Sequence, residues 1–345
     1  MTDDQAPPPK GAPPGGGPVT MATIGRLAGV SQVTVSRALS DPSKVSPATL
    51  EKIREAIAVT GFVPNALAGA LASRRSRLIT ALVPSITNIV YAAMIKAFSE
   101  RIRAHGYQIL LSETGLDPAD EEVLIETHLS RRPDAMLLTG IHHTPRARRM
   151  LLGAGIPVVE VWDITDSPID LCVGFSHAEA GRAAADYAIS AGYVRAGTVS
   201  ADDERAARRK AAFVARFAPA AETAIETVDF DGPASLERGR QGLAELIDAR
   251  GFAGGVVFCS SDLLAHGVLI EAKARGLAVP ADIAVIGFGD QDFAAHVEPA
   301  LTTVRVDRPA FGRAAAEAIL ARFDGTGPQA PVTDLGFRIV ARTSA

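Results

Sequence analysis

Residues 29–40 read GVSQVTVSRALS, a polar and β-branched run inside an alanine-rich helical pattern. Gly29 supplies a turn and Ser31 can open a helix. Val30, Val35 and Leu39 form a candidate inward stripe, while Ser31, Gln32, Thr34, Ser36 and Arg37 carry hydrogen-bonding groups elsewhere on the helix. Such a helix has one side for a small core and one for a polar partner. Upstream, MATIGRLAG reads as a first helix capped by Thr20. Downstream, Asp41-Pro42 makes a loop, and SPATLEKIREAIAVTG a third helix. Ser46 caps it, Pro47 takes its first position and Gly61 ends it. Two short helices joined through a glycine turn make a helix-turn-helix pattern, which other helical hairpins share.

Charge gives that pattern a context. Between Thr20 and Arg77 there are eight basic and three acidic residues, an excess of +5 in a chain whose net charge is −4. A basic head on an acidic body fits a nucleic-acid-reading module joined to something else, although a solvated charged face has the same composition. At 345 residues the chain has room for two or three domains. Cys172 and Cys259 both sit in apolar, strand-like runs and read as small core residues, without disulfide or metal-ligand spacing. The first 18 residues are rich in Pro and Gly and lack an apolar segment, so they read as a disordered tail and not a signal peptide. No later apolar run is long enough to span a membrane, and a cytoplasmic, nucleoid-associated location is expected.

From Arg77 the rhythm changes. LITALVPS, YQILLSE, DAMLLTG and PVVEVWD read as strands, separated by helices over 88–106, 119–131 and 145–154. A second series runs DLCVGFS, AGTVSA, AIETVDF, GGVVFCSS and DIAVIGFG, with helices over 177–191, 203–217, 235–249 and 262–275. This alternation predicts two open, doubly wound parallel sheets in tandem. Ligands in such folds bind beyond the carboxyl ends of the strands, so the cleft between two lobes is the expected site. Polar residues stand at several strand ends: Ser85, Thr139, Asp163, Ser176, Ser261 and Asp290.

The stretch MATIGRLAGVSQVTVSRALSDPSKVSPATLEKIREAIAVTGFVPNALAGALASRRS resembles the head of a LacI/GalR-family transcriptional repressor. It carries the AGVS-x-x-TVSR-x-L helix-turn-helix, the VS-x-x-T third helix, the GF-x-PN junction and the N-x-x-A-x-x-L-A hinge, in order. The likeness continues through AGIPVV, SSDLLAHG, VPADIAVIGF and EPALTTVRV, and so covers 20–345. Within the family, LVPSITNIVYAAM, HGYQILL, HHTPR and DLGF are most similar to the gluconate-utilisation repressor type.

The resemblance implies a helix-turn-helix domain over 19–63, a hinge helix over 64–76 and a periplasmic-binding-protein-like core over 77–345. Lobe one would take about 77–175 and 305–325, and lobe two about 176–304 and 326–345. The helix from Ser31 becomes the recognition helix of the major groove. Ser31, Thr34 and Ser36 suit phosphate oxygens, Gln32, Val33 and Arg37 sit where the family reads bases, and Thr20 is a further expected DNA contact. Ser40 replaces the usual Asn. In the hinge, Asn65 is an expected DNA contact, Ala68 would allow close helix packing, Leu71 would wedge into the minor groove and Arg74 would attract phosphate. A homodimer on a pseudo-palindromic DNA operator follows, and no tetramerisation helix is expected after the last strand.

For the effector the resemblance carries over to Ser85, Asn88, Tyr91, Thr139, Asp163, Ser176, His177, Arg205, Ser261 and Asp290. Arg205 suits a carboxylate, hence gluconate or a related sugar acid. Arg208 and Arg209 read as solvated neighbours. Ser176-His177 and Ser261-Asp262 depart from the family's usual acid and amide residues, which leaves a neutral sugar or purine open. Effector release of the operator is the family's commoner sign, and co-repression also occurs. No nucleophile elbow, P-loop, zinc-binding helix motif or dinucleotide fingerprint is present, so neither an enzyme nor a cofactor is expected. His142-His143 lacks the spacing to share a metal ion. A transport-type sugar-binding protein shares the two-lobed core, and the basic head argues against it.

Overall fold

The computed structural model describes residues 18–64, 75–115, 117–201, 203–327 and 330–345. The tail through residue 17 and the hinge residues Asn65, Ala68, Leu71 and Arg74 lie outside these. The chain divides into two compact units, 1–76 and 77–345.

The first unit holds α1 (Met21–Ala28), α2 (Gln32–Ser40) and α3 (Pro47–Thr60). Each begins at a hydroxyl cap: Thr20, Ser31 and Ser46 accept from the backbone N–H of Thr23, Thr34 and Thr49. Gly29 (φ 68°) and Gly61 (φ 63°) end α1 and α3 in the left-handed region that favours glycine. Ile24, Ala28, Val35, Ala38, Ile53 and Ala56 form the core, with Val30 packed partly against it. The expected stripe needs one correction. Leu39 is 37% exposed, and Ala38 takes the inward position, three residues after Val35.

The second unit contains two six-stranded sheets, ordered β11-β5-β4-β3-β1-β2 and β12-β10-β9-β8-β6-β7. The first comprises β1 (Leu78–Val83), β2 (Gln108–Glu113), β3 (Ala135–Thr139), β4 (Val158–Val161), β5 (Leu171–Gly174) and β11 (Val332–Asp334). The second comprises β6 (Ala196–Ala201), β7 (Glu226–Phe230), β8 (Gly255–Cys259), β9 (Ile283–Gly289), β10 (Thr302–Arg305) and β12 (Arg338–Val340). Every pairing is parallel except β10 with β12. Both sheets are doubly wound, reversing direction beside β1 and β6.

Helices cover the faces. α4 (Ile89–Arg103), α5 (Pro118–Leu129) and α6 (Pro145–Gly153) follow β1 to β3. α7 (His177–Ser190), α8 (Glu204–Phe217), α9 (Leu236–Asp248) and α10 (Asp262–Ala274) serve the second sheet, and α11 (Arg308–Phe323) returns to pack on α4. The chain crosses between lobes after β5, after β10 and between β11 and β12. That last crossing corrects the expected lobe boundary at 325/326: β11 pairs with β5, so the first lobe extends to Asp334.

Aromatic rings gather at the crossings. Phe175, just after β5, lies 5.9 Å from Trp162, 5.8 Å from Phe311 and 6.3 Å from Phe337. Both cysteines are buried, and burial pushes their thiols up, Cys172 to about 12, which keeps them protonated and inert. Among the described residues no helix is long and apolar enough to cross a membrane.

Candidate functional site

The carboxyl ends of β1, β3 and β4 face the start of α8 across a cavity of about 350 Å³. Pro84, Thr139 and Asp163 line it from the first lobe, and Asp203, Arg205 and Arg208 from the second. The helical period explains the second wall. Positions 205, 208 and 209 are three and four residues apart, so three arginines share one face of α8.

Each arginine has a different environment. Arg205 is 8% exposed. Its Nε donates to Asp203 Oδ1 at 3.2 Å and one Nη to the Tyr91 hydroxyl at 2.9 Å, across the lobes. Its other Nη is buried without a hydrogen-bond partner among the described residues. Arg208 donates two hydrogen bonds to the carboxylate of Asp163, also across the lobes. Its buried Nε makes no hydrogen bond among the described residues and lies 3.8 Å from a carboxylate oxygen of Glu204. Arg209 stands behind the cavity wall with its guanidinium 3.8 Å from the centre of the Phe288 ring. It donates to His177 Nδ1 at 2.8 Å and to the Ser260 carbonyl at 3.0 Å.

These contacts fix the state of His177. Nδ1 accepts from Arg209, so Nε2 carries the proton and donates to the Trp162 carbonyl at 2.9 Å. Burial first, and the positive charge of Arg209 second, hold its pKa well below the ordinary range. His177 is therefore neutral and orients Arg209.

The expected effector residues are dispersed. Thr139, Asp163 and Arg205 line the cavity, and Tyr91 reaches it through Arg205. Ser176, Ser261 and Asn88 cap α7, α10 and α4 through their side chains. Ser85 bonds Thr87 at 3.1 Å. Asp290 (φ 47°) accepts from Arg342 at 2.7 Å, with Arg305 at 3.6 Å, so its carboxylate is already engaged. Arg208 and Arg209, read from sequence as solvated, are correspondingly corrected to a lobe-crossing pair and a buried support. Their spacing from Arg205 was the available signal. Burial also lifts Asp262 to about 6, against hydrogen bonds at 2.6 Å from both Thr303 and the Gln291 N–H.

His142 and His143 separate in role. His142 Nε2 meets Glu204 across the cleft at 3.0 Å. His143 is buried between Glu121 at 2.8 Å and the fully buried Glu160 at 3.3 Å. Burial opposes its charge, but the hydrogen bond to Glu121 and the negative charge of Glu160 outweigh this and raise its pKa to about 9. The folded value stands above the ordinary 6.5. Its contribution to stability is therefore complete below about pH 6.5 and lost as pH rises through about 9. The melting temperature of the second unit is expected to fall across that window, and His143→Gln to flatten the fall. An unchanged slope in the variant counts against the network.

On the first unit, Gln32, Val33, Ser36 and Arg37 are exposed on the side of α2 away from Val35 and Ala38, with Val33 65% exposed. Ser31 caps the helix and lies 2.9 Å from Thr34, while Thr20 is held in a capping box with Thr23. Gln32 and Arg37 both present hydrogen-bond donors to solvent from this helix.

Comparison with known proteins agrees with both units. Residues 20–65 match the bacterial regulatory proteins of the lacI family, and residues 185–345 a periplasmic binding protein-like domain. The chain is 35% identical over 328 residues to the HTH-type transcriptional regulator GntR of Pseudomonas aeruginosa, covering 94% of this chain and 95% of that protein. Its Escherichia coli namesake is 34% identical over 317 residues, covering 90% and 94%. A crystal structure of a LacI-family transcriptional regulator from Silicibacter pomeroyi superposes with a TM-score of 0.89 at 31% identity, covering 95% of this chain and 99% of that one. A transcription regulator GntR from Chromobacterium violaceum superposes at 0.73 with 34% identity, covering 77% and 98%.

Proposed function

We propose a mechanism from one premise: the chain belongs to the LacI family of bacterial regulatory proteins. It is a DNA-binding transcriptional regulator with an effector-binding core, and not an enzyme. The operator is read by α2, with Arg37 and Gln32 on base edges, Val33 against a thymine methyl, and Ser31, Thr34 and Ser36 on phosphates. One such helix reads few base pairs, so a homodimer on a pseudo-palindromic site is required for specificity. Ile86 and Leu111 line a groove of about 540 Å³ beside the edge strand β2, and a second copy gives these apolar groups a partner. Such a regulator acts in the cytoplasm, on the nucleoid.

The effector is a sugar acid, gluconate or a close relative. The unpartnered, buried Nη of Arg205 beside the cavity carries this assignment. An N–H donor without a partner costs about 1–3 kcal/mol, which a ligand carboxylate recovers as a charge-assisted bond. The acidic wall of Asp117, Glu121, Asp163, Asp203 and Glu204 suits the hydroxyls and is the observation that favours a neutral sugar instead. Effector binding releases the operator. A ligand that favours the non-DNA conformation by about 1–3 kcal/mol weakens DNA affinity about 5–150-fold.

Titration with gluconate, other sugar acids, neutral sugars and purines tests this. Trp162 is the chain's one tryptophan; its ring lies 5.8 Å from that of Tyr91, the partner of Arg205, so its fluorescence reports the cavity. At a hundredfold excess over its Kd a true effector adds about 2.7 kcal/mol of stability. A stronger response to sugar acids than to neutral sugars or purines is expected. A response only to neutral sugars or purines overturns the assignment.

A further inference from the structure

Resting on the sugar-acid reading, we propose that Arg208 is the residue that selects an acid over its neutral analogue, and that Asp163 is a built-in carboxylate with which the ligand competes. The charges in the cavity demand such an exchange. Arg205 is matched by Asp203, Arg208 by Asp163 and Glu121 by the cationic His143, while Asp117 and Glu204 add further negative groups to the wall. An anion entering this wall is repelled unless a guanidinium turns towards it. A neutral polyol meets no such repulsion.

The two pairs differ in how readily they yield. Arg205 is buried and tied to both Asp203 and Tyr91. Arg209 lies outside the cavity lining, and both its terminal nitrogens are bonded. Among the three arginines only the Arg208 side chain keeps substantial exposure, 33%, and its partner Asp163 keeps 2%. Asp163 is also fixed. Its Oδ1 accepts from the Ile164 N–H at 2.8 Å, and its backbone is pressed against Gly174.

Arg208 has the geometry to exchange. Asp163 occupies its two terminal nitrogens end-on, leaving the buried Nε–H without a hydrogen bond. A carboxylate approaching from the side takes Nε and one terminal nitrogen, the bidentate arrangement guanidinium favours. It lies one helical turn from the unfilled Nη of Arg205, so one carboxylate is recognised from two adjacent positions of α8. Because Asp163 and Arg208 belong to different lobes, the exchange converts a lobe-to-lobe ion pair into a ligand-to-lobe contact. An acid thereby acquires a conformational effect that its neutral analogue lacks.

The test is calorimetric titration of the full chain with D-gluconate and with sorbitol, an open-chain polyol of the same carbon count without the carboxylate. Wild type prefers gluconate. Arg208→Gln reduces that preference, read as the ratio of the two affinities, on the order of 10- to 100-fold, the range for a lost charged hydrogen bond. Asp163→Asn removes the competing charge and increases the preference. Arg208→Gln leaves Asp163 buried without its partner, so the double variant Asp163→Asn/Arg208→Gln serves as the folded control and loses the preference too. Undiminished gluconate preference in the folded Arg208 variants, or a lowered one in Asp163→Asn, overturns the exchange while leaving the sugar-acid effector intact. Equal binding of gluconate and sorbitol by wild type removes the sugar-acid reading and this inference with it.

Discussion

Residues 77–345 produced alone are expected to bind effector as tightly as the full chain and to lose operator binding by more than about a thousandfold. Both halves of the expectation rest on where the chemistry lies. The second unit has its own sheets and apolar cores, and both walls of the effector cavity come from it. The exposed residues Gln32, Val33, Ser36 and Arg37, proposed to contact the operator, belong to the first unit. Specific DNA complexes of this kind have dissociation constants of about 10⁻⁸ to 10⁻¹¹ M, much of that affinity coming from phosphate neutralisation. The excess of +5 between Thr20 and Arg77 provides it here, and the rest of the chain is acidic enough to repel DNA. The measurement is fluorescence anisotropy of an operator duplex obtained by selection with the full-length protein, repeated at two salt concentrations. Sequence-specific binding by 77–345 would place the DNA contacts outside the head. Loss of effector binding by 77–345 would mean that the cavity depends on the first unit.

The head was legible because its helices are punctuated locally. Thr20, Ser31 and Ser46 open helices and Gly29 and Gly61 close two of them, and each acts within four residues of itself. The one slip, Leu39 for Ala38, came from ranking side chains by size. The small three-helix core instead accepts whichever residue the helical period brings inward. The two lobes were legible because strands buried on both faces are continuous apolar runs. β11 and β12 were not, since three residues carry no periodicity and their place is set by pairing with β5 and β10.

The site was only partly legible for a similar reason. Arg205, expected at the cleft from the resemblance, lines the cavity, whereas the surroundings of Arg208 and Arg209 depend on what faces them from the loop after β4, from α7 and from β9. Nothing local to Asp290 announces that Arg342, 52 residues later, occupies its carboxylate. Long-range ion pairs within a cleft are properties of the fold, and sequence spacing constrains only those on a single element.

Gly174→Ala is expected to be the most damaging single methyl group in the second unit. Gly174 ends β5, where a Cβ would lie 1.5 Å from the carbonyl oxygen of Asp163 and 2.3 Å from its carbonyl carbon. Both neighbours are backbone, so no rotamer change relieves the clash. Gly174 is also held from its other side, as the Leu335 N–H donates to its carbonyl at 2.9 Å and Asp334 pairs with it in the sheet. Accommodation therefore displaces Asp163, which carries Arg208, or breaks the edge of the first sheet. Overpacking costs typically about 1–3 kcal/mol and more where backbone must move, so a loss of about 3 kcal/mol or greater is expected. For a unit of this size that lowers Tm by roughly 6–12 °C. Effector affinity should fall with it, because the displaced residue is a wall of the cavity. Gly153→Ala, at the end of α6 with nothing within 4 Å of its added Cβ, is the control and should change stability by no more than about 1 kcal/mol. Thermal unfolding of the two variants decides it. If Gly174→Ala melts within about a degree of Gly153→Ala, then β5 does not approach Asp163 as described, and the rigidity that makes Arg208 the mobile partner goes with it.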